Sequence, residues 1–137
     1  MSDTGDTHLD LFLFSVCGIH FGVDAEQVSE VNAYLGEPCE DLFWFHEELG
    51  FGDEAITYLS PTIATIRAEG GQSYRVIIDV MEDIAEIGLY EILPFPPLIE
   101  PFALRKGMWG IMVRNNRLIL LVDFKLLLRE QSHVEDL

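Results

Sequence analysis

Gly107-Met-Trp-Gly-Ile-Met-Val-Arg114, Asn115-Asn116, Arg117-Leu-Ile-Leu-Leu-Val-Asp123 and Phe124-Lys-Leu-Leu-Leu128 follow one another near the end of the chain. Two apolar, β-prone runs separated by a pair of Asn residues read as a hairpin. Asn tolerates the positive φ of a tight I′-type turn, and its side chain can bond the local backbone. The second run is apolar on consecutive residues, so the strand is expected to be buried on both faces. Asp123 reads as a helix N-cap, with Leu126 and Leu127 turned back onto the sheet. A short helix closing a small β-barrel is the resulting picture.

Working back from this hairpin, Leu93-Pro-Phe-Pro-Pro97 and Pro101 predict a stiff extended crossing, because proline suits neither a helix interior nor a central strand. Before it, Tyr74–Val80 is a strand joined to Thr62–Arg67 by a turn at Gly70-Gly71, and Ala55–Leu59 is a further strand candidate. At the other end of the chain, Leu9–Val16 and Ile19–Val23 form a hairpin through Cys17-Gly18. Asp24 caps one helical turn over Ala25–Gln27, and Val28–Tyr34 resumes as a strand. Strict alternation would put Val28, Glu30 and Asn32 on one face and Ser29, Val31 and Ala33 on the other.

Between these strands lies a predicted helix. Pro38 suits its first position and Glu40 and Asp41 its first turn, Leu42, Phe45 and Leu49 recur at helical spacing, and Gly50 stops it. Phe43 and Trp44 fall off that stripe, which predicts that they are covered by the rest of the chain or by a partner. From Met81 the chain repeats an earlier pattern. A strand reaches an acid, makes one turn and resumes with Ile84-x-x-Ile87, as Phe21–Asp24 led to Val28-x-x-Val31; the echo suggests two similar halves.

Composition sets the class. A chain of 137 residues at 49% hydrophobic and 23% charged is an ordinary globular domain that folds without metal or disulfide. The net charge of −16 is uneven: residues 1–66 carry thirteen acids and no Lys or Arg, a balance of −13 against −3 for the rest. A polyanion repels nucleic acid and anionic lipid. The acidic excess serves solubility, or alternatively steers the amino-terminal face towards a basic partner. The longest apolar run, Leu118–Val122, is far short of the ~20 residues of a membrane helix. Three Asp and no base in the first ten residues make an unsuitable secretory leader, so the expected location is cytoplasmic, with Cys17 and Cys39 as free thiols.

No catalytic constellation emerges. Acids are so abundant that any pair is uninformative. Asp79, Glu82, Asp83 and Glu86 form the densest group but lack EF-hand spacing, His46-Glu-Glu is no HExxH motif, and Gly70-Gly71 is no phosphate loop. His20 reads as a surface or hydrogen-bonded residue. The expectation is a protein without enzymatic activity, cofactor or metal.

Leu11-Phe-Leu-Phe14, Phe21-Gly-Val-Asp-x-x-x-Val-x-Glu-Val31, Val76-Ile-Ile-Asp-Val-Met-Glu-Asp-Ile-Ala-Glu-Ile87, the Pro-rich crossing and Gly110–Leu128 resemble, in their order and spacing, a CheW-like domain over residues 9–129. The resemblance implies a mainly β fold of two packed SH3-like barrels, the first one reduced, with short helices. It also implies the division of an acidic disordered tail (1–8), one domain (9–130, with subdomains 9–66 and 67–130) and a flexible end (131–137). It further implies an adaptor in bacterial chemotaxis-type signal transduction. Its partners would be the regulatory domain of a CheA-type histidine kinase and the cytoplasmic tip of a chemoreceptor. Carried over residue by residue, its partner surface falls on Val28, Glu30 and Val31, with core packing as the alternative for the two valines.

One departure is large. The family's middle segment of the type Gly-Val-x-Asn-Leu-Arg-Gly, with a basic residue associated with receptor contact, has no counterpart between Asn32 and Ala55. That counts against receptor binding and leaves a sheet edge to be covered, for which Phe43, Trp44 and Phe45 are the candidates, within the chain or across a homodimer. The alternative function is therefore a degenerate CheW-like interaction module working outside receptor arrays.

Overall fold

The computed structural model describes residues 7–36, 42–50, 56–67, 71 and 73–128. It contains β1 (His8–Val16), β2 (Ile19–Asp24), β3 (Val28–Ala33), β4 (Leu42–Trp44), α1 (Phe45–Glu48), β5 (Thr62–Arg67), β6 (Ser73–Ile78), β7 (Val80–Gly88), α2 (Glu100–Arg105), β8 (Met108–Arg114) and β9 (Arg117–Val122), then a helical turn α3 over residues 124–128. One sheet has the order β7-β1-β2-β9-β8 and the other β3-β5-β6-β4. The parallel pairs are β2 with β9 and β4 with β6.

The first sheet closes on itself. After β7 a single 3-10 turn, Leu89–Glu91, is fastened by the Gly88 amide donating to Glu91 Oε2 at 2.9 Å. It returns the chain so that Leu93 exchanges both backbone hydrogen bonds with Ile111 of β8, at 2.8 and 2.9 Å. The continuation of β7 thus meets the far edge of the sheet, as in a small SH3-like barrel. Leu11, Ile87, Met112, Ile119 and Leu121 fill its interior. Gly110 is required at the closure, since a Cβ there would stand 2.9 Å from Ile92 Cγ2.

The opposite face of the same strands builds the main core. Phe12, Phe14 and Val16 of β1, Phe21 and Val23 of β2 and Val122 of β9 pack against Ala64, Ile66, Val76 and Ile78 of the second sheet. This is why the run ending at Val122 is apolar on consecutive residues: Ile119 and Leu121 point into the barrel, Val122 into the seam. Leu118, at the hairpin end, is 55% exposed, and Leu120 is half-buried, so double burial holds for only part of the run. Asn115 and Asn116 sit at φ 54° and 63°, the left-handed pair expected of the turn.

Asp123 caps α3, accepting from the Lys125 and Leu126 amides at 2.9 and 3.3 Å. Gln27 locks the cap to the amino-terminal half: its side-chain amide donates to Asp123 at 3.0 Å and accepts from the Phe124 amide at 2.9 Å. The helix buries Phe124, Leu127 and Leu128, and Leu126 is the exposed one.

The internal echo corresponds to the two places where the chain changes sheets. Asp24 stands where it leaves the first sheet, capping the 3-10 turn Ala25–Gln27 through the Glu26 amide at 3.0 Å. Asp79 stands where it returns, buried and accepting from the Leu59 and Ser60 amides at 3.1 and 2.6 Å. The second crossing has no helical turn; β7 runs unbroken from Val80, with a register shift opposite Leu13 and Phe14. The sheets interleave the expected subdomains, since β1 and β2 share a sheet with β7, β8 and β9, while β3, β4 and β5 share one with β6.

The structure departs from other expectations as well. The predicted helix over 38–49 is β4 followed by one helical turn, residues 37–41 lying outside the described residues. Leu42-Phe-Trp44 finds a strand partner in β6, and tertiary pairing overrides the helical stripe. Residues 56–60 form no strand, because the Leu59 and Ser60 amides are taken by Asp79. The Pro-rich crossing ends in α2, which tolerates Pro101 in its first turn, where the missing N–H costs nothing. His8 belongs to β1, so strand order begins inside the expected tail; residues 1–6 and 131–137 lie outside the described residues. Among the described residues no helix is long and apolar enough to cross a membrane.

Candidate interaction surface

β3 is one edge of the second sheet, with β5 on one side and, among the described residues, no strand on the other. A bulge at Ser29 breaks its alternation: Val28 pairs with Ile66, Glu30 with Thr65 and Val31 with Ala64. The Ser29 hydroxyl donates to the Thr65 carbonyl at 3.3 Å across the bulge. Val28 and Val31 therefore lie on the same face, half-buried against the seam core, while Glu30 is exposed. The expected separation of the two valines fails because one extra residue shifts the period of two.

Beside the start of β3 lies a cleft of about 700 Å³, which sequence spacing did not reveal because its residues come from five elements. Asp10 of β1, Asp24, Glu26 of the 3-10 turn and Glu86 of β7 surround it, with Arg67 at the end of β5. Four carboxylates against one guanidinium make this the local expression of the charge excess seen in residues 1–66. Such a surface favours a basic counterpart and raises association rates more than affinity.

Phe43 and Trp44 sit elsewhere. β4 is the opposite edge of the sheet, with β5 and β6 between it and β3. Phe43 faces the seam core and packs on Tyr74 with ring centroids 6.3 Å apart. Trp44, on the other face, makes edge contacts with Tyr34 at 5.7 Å and Tyr58 at 5.1 Å. Within the chain β4 pairs with β6, and Phe45 is fully buried behind it.

Tyr58 knits this aromatic group together. Its hydroxyl oxygen accepts from the His46 amide at 3.2 Å and lies 3.0 Å from His46 Nδ1. Burial pushes its pKa up to about 12, outweighing the His46 amide, which pulls it down, with the Asp79 carboxylate adding to the rise. A phenol whose folded pKa lies above its unfolded value contributes stability that is full below pH ~10 and is lost as pH rises through the folded value. In a phenolate absorbance titration this tyrosine is expected to ionise near pH 12, and Tyr58→Phe should remove that late step.

The acidic group on and before β7 is dispersed. Asp79 holds two backbone amides, Asp83 accepts from the Ile84 amide, and Glu86 lines the cleft. Glu82 takes His20 at 3.1 Å and Arg117 at 4.0 Å, so His20 is hydrogen-bonded across strands. Among the described residues no group of three or more His, Cys, Asp or Glu side chains could hold a metal ion.

No family model and no curated protein matches the chain. A solved structure does: the scaffolding protein TtCheW from Thermoanaerobacter tengcongensis superposes with a TM-score of 0.66. The fold is CheW-like. The match covers 87% of this chain and 86% of that one at 19% sequence identity, so the likeness spans the domain. In this CheW-like chain the stretch between Asn32 and Ala55 contributes, among its described residues, only β4 and α1.

Proposed function

We propose that this protein is a non-enzymatic, chemotaxis-type adaptor whose β3 edge and neighbouring acidic cleft receive the regulatory domain of a CheA-type histidine kinase. The observation that carries the reading is the domain-wide likeness to a scaffolding protein. The placement of β3 supports it. An edge strand offers unpaired backbone groups, Val28 and Val31 offer apolar surface beside them, and Glu30 adds a charge that selects the partner. The reading is restricted to the kinase, because the segment carrying the family's receptor-associated basic residue has no counterpart here.

Calorimetric titration with the regulatory domain of a CheA-type kinase from the same organism tests this. Glu30→Lys, at an exposed position, is expected to keep the fold and weaken binding by about tenfold. Val28→Asp is expected to abolish binding. No heat with the intact protein, or unchanged affinity in Glu30→Lys, would count against the proposal.

A further inference from the structure

The first sheet carries a second surface, independent of β3. α2 and the β8–β9 hairpin enclose a groove of about 540 Å³. Met108 and Leu120, both half-buried, line it together with Ile99 and Phe102, which are 49% and 63% exposed. α2 buries only Ala103. Apolar surface continues along the outer face of the hairpin, where the cross-strand partners Val113 and Leu118 are 61% and 55% exposed. Single exposed apolar residues are ordinary, but a contiguous set lining a concavity marks a binding surface.

Charge narrows the occupant. In a chain with 24 acids and eight Lys or Arg, this groove is lined, among the described residues, by Arg105 and Lys106 and by no Asp or Glu. The cleft beside β3 and the one around His20 and Glu82 both have carboxylates in their walls. The Arg105 guanidinium lies 4.9 Å from the centre of the Phe102 ring, so the charge borders directly on the apolar wall. At physiological ionic strength the screening length is about 8 Å, so a ligand in the groove feels most strongly the two bases that line it. A second copy of the chain would bring another −16 with it, and two such bodies repel.

We propose that the groove docks a short amphipathic helix of a partner protein, with apolar residues at i, i+3 or i+4 and i+7 in the slot and Asp or Glu facing Arg105 and Lys106. The test uses two labelled synthetic helical peptides with the same Leu and Phe stripe, one flanked by Glu and one by Lys, titrated by fluorescence anisotropy against the full chain. The Glu-flanked peptide is expected to bind at least about tenfold more tightly, the difference shrinking in high salt. Phe102→Asp should abolish its binding and Arg105→Glu should remove the preference, both with unchanged circular dichroism. Equal binding of the two peptides, absence of binding, or full binding to Phe102→Asp overturns the proposal. So does a dimer in sedimentation velocity that Phe102→Asp dissociates, because the groove is then filled by a second copy.

Discussion

Phe14→Ala is expected to destabilise the protein by about 3–5 kcal/mol, the range for emptying a large aromatic site in a packed core. Phe14 is fully buried at the centre of the seam. Its ring stacks on Phe21 at 5.5 Å and on Phe124 at 6.1 Å, meets Phe45 edge-on at 5.1 Å, and lies 6.2 Å from Phe12. Those neighbours come from β1, β2, α1 and α3, so no single element can shift to close the void. Urea unfolding followed by circular dichroism measures the loss. A cost below about 1 kcal/mol would mean that the two sheets do not share this seam.

Leu121→Ala is expected to cost about 3–5 kcal/mol for a different reason. Leu121 lies inside the closed barrel at 0% exposure, on a strand flanked by β2 and β8, and its Cδ2 would stand 3.2 Å from a Cβ added at Gly22. Leu118→Ala, three residues earlier on the same strand, should change stability by no more than about 0.5 kcal/mol because that side chain is more than half exposed. The half-buried Leu120 should fall between them. The ordering separates barrel interior, groove wall and hairpin tip within one apolar run, which composition alone treats as uniform.

Much of the architecture was legible where local chemistry decides it. The Cys17-Gly18 and Asn115-Asn116 turns, the Asp24 and Asp123 caps and the strands around them depend on neighbours in sequence, and all are present. What could not be read depends on distant partners. Leu42-Phe-Trp44 is a strand only because β6 offers an edge, and the off-stripe position of Phe43 and Trp44 was its one sequence signal. Residues 56–60 lose strand structure to a carboxylate at position 79. α2 was hidden because Pro101 argued against helix without regard to its place in the first turn.

The candidate surface divides in the same way. Alternation had put Glu30 on the face of Val28 and parted the two valines; the Ser29 bulge puts Val28 and Val31 together and leaves Glu30 exposed. The acidic cleft joins residues up to 78 positions apart, from His8 to Glu86, and no spacing rule reaches that far. The groove under α2 escaped notice together with its helix.

Backbone amide chemical-shift mapping tests whether the proposed kinase contact runs along β3. Isotope-labelled protein titrated with the unlabelled regulatory domain of the CheA-type kinase is expected to show its largest perturbations over Val28–Ala33 and around Asp24 and Glu26. No perturbation at saturating kinase domain, or perturbations confined to α2 and the β8–β9 hairpin, would contradict it.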